Sequence, residues 1–182
     1  MRSSFNGRQS QRPCSGRRAS LRRQGTQRVA VAGFRWYKDS TDAVGSLLLG
    51  LYDDDSALHH VGVASAFTMA ARKELAQKLE PLRKNAMKNH PWCNWEREEA
   101  HATARLPGAQ SRWSAGKDLS WEPLRIERVC EVKYDHLQGD RFRHATHFLR
   151  WRPDKPPADC CYDQLEVTAP YELNKVFSAK RV

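Results

Sequence analysis

The sequence predicts an all-β domain with one or two helices, built as a small Greek-key barrel of five strands. Three observations carry that expectation. Short runs of β-branched and small apolar residues are separated by turn signals before residue 65. A single stretch with helical spacing follows at 68–80, and strand patterning resumes at residue 126.

Order is expected to begin near Arg28. Val29-Ala30-Val31-Ala32-Gly33-Phe34 reads as the first strand, continued by Trp36-Tyr37-Lys38 into the polar turn Asp39-Ser40-Thr41-Asp42. Gly45 to Tyr52, with Leu47-Leu48-Leu49 at its centre, reads as a buried second strand, and Asp53-Asp54-Asp55-Ser56 as a hairpin turn. Leu58 to Ala64 is the third strand. The period then changes. Thr68 suits a helix cap, and Ala71, Leu75, Leu79 and Leu82 form one apolar stripe. Pro81 is expected to stop the helix near Glu80, and Arg72, Lys73 and Lys78 to form a solvated face.

Residues 83–120, with Trp92, Trp95 and Trp113 among Pro91, Pro107 and Gly108, read as a long insertion whose tryptophans anchor it by packing. Strands resume with Ile126 to Tyr134, a turn at Gln138-Gly139-Asp140, and Arg141-Phe142-Arg143. Gln164 to Thr168 could pair back on the sheet, and 169–182 is a C-terminal tail. Three strands, a helix between strands 3 and 4, then two or more strands fit the oligonucleotide-binding (OB) barrel. Composition alone leaves an SH3-like barrel open.

The net charge of +10 over 182 residues suggests an acidic partner. Most of it sits at one end. Residues 1–30 carry eight arginines and no acid, and the remaining residues are nearly balanced. Residues 1–28 are too poor in hydrophobic side chains to fold and are expected to be a disordered basic tail. A second concentration lies inside the domain. From Arg141 to Lys155 there are five basic residues and one acid, with His144 and His147 among them.

Arg150-Trp151-Arg152-Pro153-Asp154-Lys155 is the sharpest feature of that patch. Alternating guanidiniums beside a lysine suit a polyphosphate, because Arg binds two oxygens at fixed geometry and Lys adds a mobile point charge. Asp154 suits the role of orienting these cations better than that of metal ligand. Arg35, Trp36 and Lys38 could track a phosphate backbone, and equally suit a core tryptophan and a turn lysine.

Five cysteines show no C-x-x-C spacing, which argues against zinc, and their odd number argues against a disulfide framework. No apolar run approaches the ~20 residues that span a bilayer, and no secretory signal opens the chain.

Val31-Ala32-Gly33-Phe34…Lys38, Gly45-Ser46-Leu47-Leu48-Leu49-Gly50, Val61-Gly62-Val63-Ala64, Trp121-Glu122-Pro123, Glu131-Val132 and Arg143…Phe148 to Lys155 occur in one order. Together they resemble the C-terminal OB domain of ATP-dependent DNA ligases, most closely those of actinobacterial type linked to end joining. The resemblance covers about residues 29–168. The final run is similar to nucleotidyltransferase motif VI, with its R-x-D-K core at Arg152, Asp154 and Lys155. Capping enzymes share a similar motif; the glycine-flanked leucine strand leans towards ligase.

The resemblance implies specific roles. Arg150, Arg152, Asp154 and Lys155 would contact the ATP phosphates and align pyrophosphate as leaving group. Arg35, Trp36, Lys38, Arg141 and Arg143 would contact DNA. The partners would be nicked or broken duplex DNA and a ligase adenylation domain, in bacterial cytoplasm at the nucleoid, in repair and recombination. ATP and Mg²⁺ would bind only together with that adenylation domain.

The nucleophilic K-x-D-G motif is absent, and Lys117-Asp118-Leu119 lacks its spacing and glycine. Where the last adenylation motif is expected, the chain reads Arg17-Arg18-Ala19-Ser20-Leu21-Arg22-Arg23. The chain is therefore expected to be inactive alone, with no catalytic residue of its own and a first segment of unrelated coding. A stand-alone nucleic-acid-binding module and the remnant of a truncated or frame-shifted gene are the alternatives.

Overall fold

A computed structural model of the chain describes residues 25–38, 40–95, 107 and 120–164. Strands β1 (Gly25–Trp36), β2 (Val44–Tyr52) and β3 (Leu58–Ala64) form an antiparallel meander, and helix α1 (Met69–Arg83) follows. The chain returns through β4 (Glu122–Tyr134), a small hairpin of β5 (Leu137–Gln138) and β6 (Arg141–Phe142), and β7 (His147–Trp151). The main sheet has the order β3-β2-β1-β4-β7. Its two edges meet where Thr146, just before β7, forms a parallel bridge to Ala64 at the end of β3. The Thr146 amide donates to the Val63 carbonyl at 2.8 Å. A five-stranded antiparallel sheet curled so that its edges touch, with one helix between the third and fourth barrel strands, is the OB fold expected from sequence.

The hydrophobic strand at the centre of the sheet explains the closure. Val29 to Ala32 and Phe34 of β1, and Leu47 to Leu49 and Leu51 of β2, are fully buried. β1 is paired on both sides, and its register shifts between Val31 and Gly33 against both neighbours. A bulge of this kind bends and twists a strand, as a closing sheet requires. Gly33 lies at that bulge. A Cβ there would lie 2.4 Å from Cε3 of Trp121 and 2.8 Å from the Glu122 carbonyl oxygen.

Trp121 joins a stack of rings over β1. Its centroid lies 5.7 Å from Trp92, 5.9 Å from Trp95 and 5.4 Å from His90. Trp92 is fully buried and its indole N–H donates to the Leu58 carbonyl at 2.7 Å. Two of the three tryptophans read as packing anchors thus serve as such; Trp113 lies outside the described residues.

Four details differ from the sequence expectation. β1 begins at Gly25, ahead of the expected start, because Gly25 to Arg28 pair with Tyr134 to Glu131 of β4 and bury even the polar Gln27. α1 continues through Pro81 to Arg83. Pro81 removes one helical hydrogen bond, but the turn beyond it is held by burial of Leu82 and by Arg83 ion pairs to Glu80 and Glu122. Arg72 is no solvated residue, since its guanidinium donates to the carbonyls of Val44, Gly45 and Ser65 at 2.8, 2.6 and 2.9 Å. Finally, the fifth barrel strand is His147–Trp151; Arg141-Phe142 pairs only with the short β5.

Of the suggested Gln164–Thr168 strand, Gln164 ends a 3₁₀ turn and the rest lies outside the described residues. Cys161 is disulfide-bonded, so an odd cysteine count excluded complete pairing but not one bridge, while Cys93, Cys130 and Cys160 are free thiols. Among the described residues, no helix is long and apolar enough to cross a membrane.

Candidate phosphate-binding site

The site is built where β7 runs off the edge of β4. Arg150 stands opposite Glu131 in the antiparallel register. The Arg152 amide donates to the Val129 carbonyl at 2.8 Å, so the ladder carries one residue past the strand. Pro153 then turns the chain. The Lys155 amide closes the turn onto the Arg152 carbonyl at 3.2 Å. Two guanidiniums and one ammonium are thereby set on a backbone fixed by the barrel.

Two carboxylates organise the guanidiniums. Nε and Nη2 of Arg152 donate to Oδ1 and Oδ2 of Asp154 at 2.9 and 2.8 Å, a parallel fork-to-fork pair. Nη1 of Arg152 donates to Oε2 of Glu131 at 2.9 Å, and Nε of Arg150 donates to the same oxygen at 2.9 Å. The Arg150 and Arg152 hydrogen bonds hold the Glu131 carboxyl below its ordinary range. The Arg152 fork holds Asp154 down to about 2, and Arg152 itself is raised by Asp154 and then Glu131. Three basic side chains thus meet two carboxylates, one more cation than anion.

Exposure divides the cations. The side chain of Arg152 is 20 % exposed and that of Arg150 is 66 % exposed. Nε is the one Arg150 nitrogen with a carboxylate partner among the described residues, so in this largely exposed side chain the terminal nitrogens have donors to offer. Lys155 is half-buried and close enough to Asp154 to help depress it. The arrangement can receive several anionic oxygens at once.

Glu131 stands out in sequence as part of a strand and of the Glu131-Val132 block of the resemblance, with no role attached to it. It lies 19 residues from Arg150 in the chain, and its role appears once β4 and β7 are aligned in register.

The residues suggested for DNA contact lie on β1, in the turn after it, and on and just after β6. Arg35 and Arg141 lie together beside His60, whose imidazole is pushed down to about 3 by burial and then by these two charges. Trp36 belongs to a different network. Its ring packs edge-on against Phe34 at 4.7 Å, its N–H donates to Glu122 at 3.3 Å, and the Arg83 guanidinium lies 5.4 Å above it. Lys38 is exposed in the turn after β1, with φ of 52° and its ammonium 5.4 Å from the Tyr37 ring. Arg143 is exposed after the small hairpin. His144 is exposed, 4.0 Å from Asp135, and His147 is an exposed residue of β7 opposite Lys133.

Comparison with known proteins agrees with the fold and the motif. The family described as the ATP dependent DNA ligase C terminal region matches residues 40–155. The chain is 51 % identical over 148 residues to DNA ligase C2 of Mycolicibacterium smegmatis, covering 80 % of this chain and 41 % of that protein. It is 47 % identical over 156 residues to DNA ligase C of Mycobacterium tuberculosis, covering 86 % of this chain and 43 % of that one. The crystal structure of the ligase domain from M. tuberculosis LigD shares the fold, with a TM-score of 0.55 and 23 % identity, covering 76 % of this chain and 38 % of that chain. The chain therefore spans about two fifths of the length of the relatives it matches. With an OB barrel whose fifth strand runs into the Arg152, Asp154 and Lys155 motif, this chain belongs to the C-terminal region family of the ATP-dependent DNA ligases.

Proposed function

We propose that this chain serves as the closing OB domain of an ATP-dependent DNA ligase. Arg150, Arg152 and Lys155 grip the β and γ phosphates of ATP while an adenylation domain carries out the covalent chemistry. The observation that carries the reading is the cation cluster at the end of β7. Two carboxylates fix its guanidiniums, and the Arg150 side chain is 66 % exposed. Holding the two outer phosphates neutralises charge on the departing pyrophosphate and fixes its line of departure. Asp154 orients Arg152. Mg²⁺ arrives with the nucleotide. The lysine nucleophile comes from elsewhere, since no K-x-D-G occurs in these 182 residues.

In the same reading the domain also packs on nicked duplex DNA in the bacterial cytoplasm. Arg35 with Arg141, Lys38 and Arg143 supply phosphate contacts. Trp36, half-buried and held by Glu122 and Arg83, stands beside them at the strand end.

The test is adenylation with labelled ATP and Mg²⁺. The chain alone should acquire no covalent AMP. Added to a ligase adenylation domain in trans, it should raise the rate of lysyl-AMP formation, and Arg150→Ala or Lys155→Ala should remove about tenfold or more of that gain. A lysyl-AMP on this chain alone would overturn the reading.

A further inference from the structure

We infer that Glu131 is a positioning residue for the phosphate grip, acting through Arg150 and Arg152; the inference rests on the function proposed above. A single oxygen, Oε2, accepts from both guanidiniums at 2.9 Å. Its side chain is 15 % exposed, the least accessible of the four charged groups in these ion pairs. It projects from β4, inside the barrel ladder, whereas Asp154 sits on the turn that follows β7. Glu131 is thus the fixed point of the cluster and Asp154 the peripheral one.

Donor counting shows what Glu131 does. Arg carries five N–H groups. Arg152 commits three of them, two to Asp154 and one to Glu131, which leaves one on each terminal nitrogen. Among the described residues Arg150 commits Nε alone, and four N–H groups on its terminal nitrogens remain. Glu131 therefore pins the stem end of Arg150 while its tip points outward, and pins one terminal nitrogen of Arg152 beside it. Without that shared oxygen, the exposed Arg150 side chain would sample many rotamers, and binding a phosphate would have to order it.

Positioning and simple electrostatics predict opposite signs. A carboxylate beside an anion site repels the anion, so removing its charge should strengthen binding by Coulomb's law. If Glu131 positions the guanidiniums, removing it should weaken binding although the site becomes more positive. The decisive measurement is affinity of the full chain for inorganic tripolyphosphate with a ligase adenylation domain present in trans. Wild type, Glu131→Gln, Arg150→Ala and Lys155→Ala would be compared, with NMR of the arginine Nε–Hε resonances recorded on the same samples. Glu131→Gln keeps the shape of the side chain, and its thermal melt checks that the barrel is intact.

Expected are weaker binding by about fivefold or more in Glu131→Gln, and loss of the shifted, slowly exchanging Nε–Hε signal of Arg150. Equal or tighter binding in Glu131→Gln, with Arg150→Ala still impaired, overturns the positioning role and leaves the phosphate site standing. An unchanged Arg150 Nε–Hε signal in Glu131→Gln also overturns it. Equal binding by wild type, Arg150→Ala and Lys155→Ala overturns the phosphate reading itself, and Glu131 with it.

Discussion

His90 shows how much one side chain can hold in place. It is 4 % exposed, its Nε2–H donates to the Ala32 carbonyl at 2.9 Å, and its Nδ1 accepts from the Trp92 amide at 3.0 Å. Both ring nitrogens are used and the ring is neutral, with burial pushing its pKa below the ordinary 6.5. His60 is pushed the same way, to about 3. In the unfolded chain each takes up a proton near pH 6.5. Their contribution to stability is therefore whole above that pH and is lost as pH falls below it, towards pH 3 for His60. Thermal melts should fall progressively from pH 7 to pH 4, and His90→Ala should lower the pH 7 melt. Gly33→Ala should be still more damaging, since the new Cβ would overlap the Trp121 ring; about 1–3 kcal/mol of stability should be lost in denaturant titrations. At this scale the sequence was partly legible. Arg150, Arg152, Asp154 and Lys155 stand within six residues and have the chemistry of a phosphate site on their face. Glu131, Glu122 and Arg83 gain their roles from strand register and helix packing, and although the resemblance includes Glu122 and Glu131, no local pattern shows what they hold.

Among the elements, α1 has a second attachment beyond its leucine stripe. Leu75, Leu79 and Leu82 bury the expected face, while Arg72 reaches back to the carbonyls of Val44, Gly45 and Ser65 and lies 4.4 Å from the Tyr37 ring. These carbonyls lie at the start of β2 and just past β3, so one guanidinium ties the helix to both ends of the second hairpin. Arg72→Met keeps the aliphatic stem and removes the donors. It should cost about 2–3 kcal/mol, read from chemical denaturation, because hydrogen bonds to a charged donor exceed neutral ones. The three-strand meander and the helix were legible because their periodicity is strong. β7 was not. Its five residues, His-Phe-Leu-Arg-Trp, are all exposed or half-buried, so it lacks the buried-exposed alternation that marks a strand; its place as an edge follows from pairing with β4. The helix end was misplaced for a related reason, since a local stop signal at Pro81 is outweighed by tertiary contacts of Leu82 and Arg83.

For the molecule as a whole, the barrel type was legible because strand and helix order suffices to limit the possibilities to a few topologies. Its closure was not, since that depends on Thr146 meeting Ala64 across 82 positions of sequence, a contact without local signature. The ring stack over β1 has a further consequence for the connection it brackets. Trp92 and Trp95 precede residues 96–119, Trp121 follows them, and the three indoles touch. The two ends of that connection are thus held together by the folded body, whatever its length. For a connection closed between fixed ends, the chain-entropy cost grows only with the logarithm of length, about 0.6 kcal/mol for each doubling. Trp121→Ala, which removes the ring that both Trp92 and Trp95 meet, should lower the melting temperature by several degrees. The tryptophans act as a clasp without a covalent bond, bringing Trp92 and Trp95 on one side of the connection against Trp121 on the other.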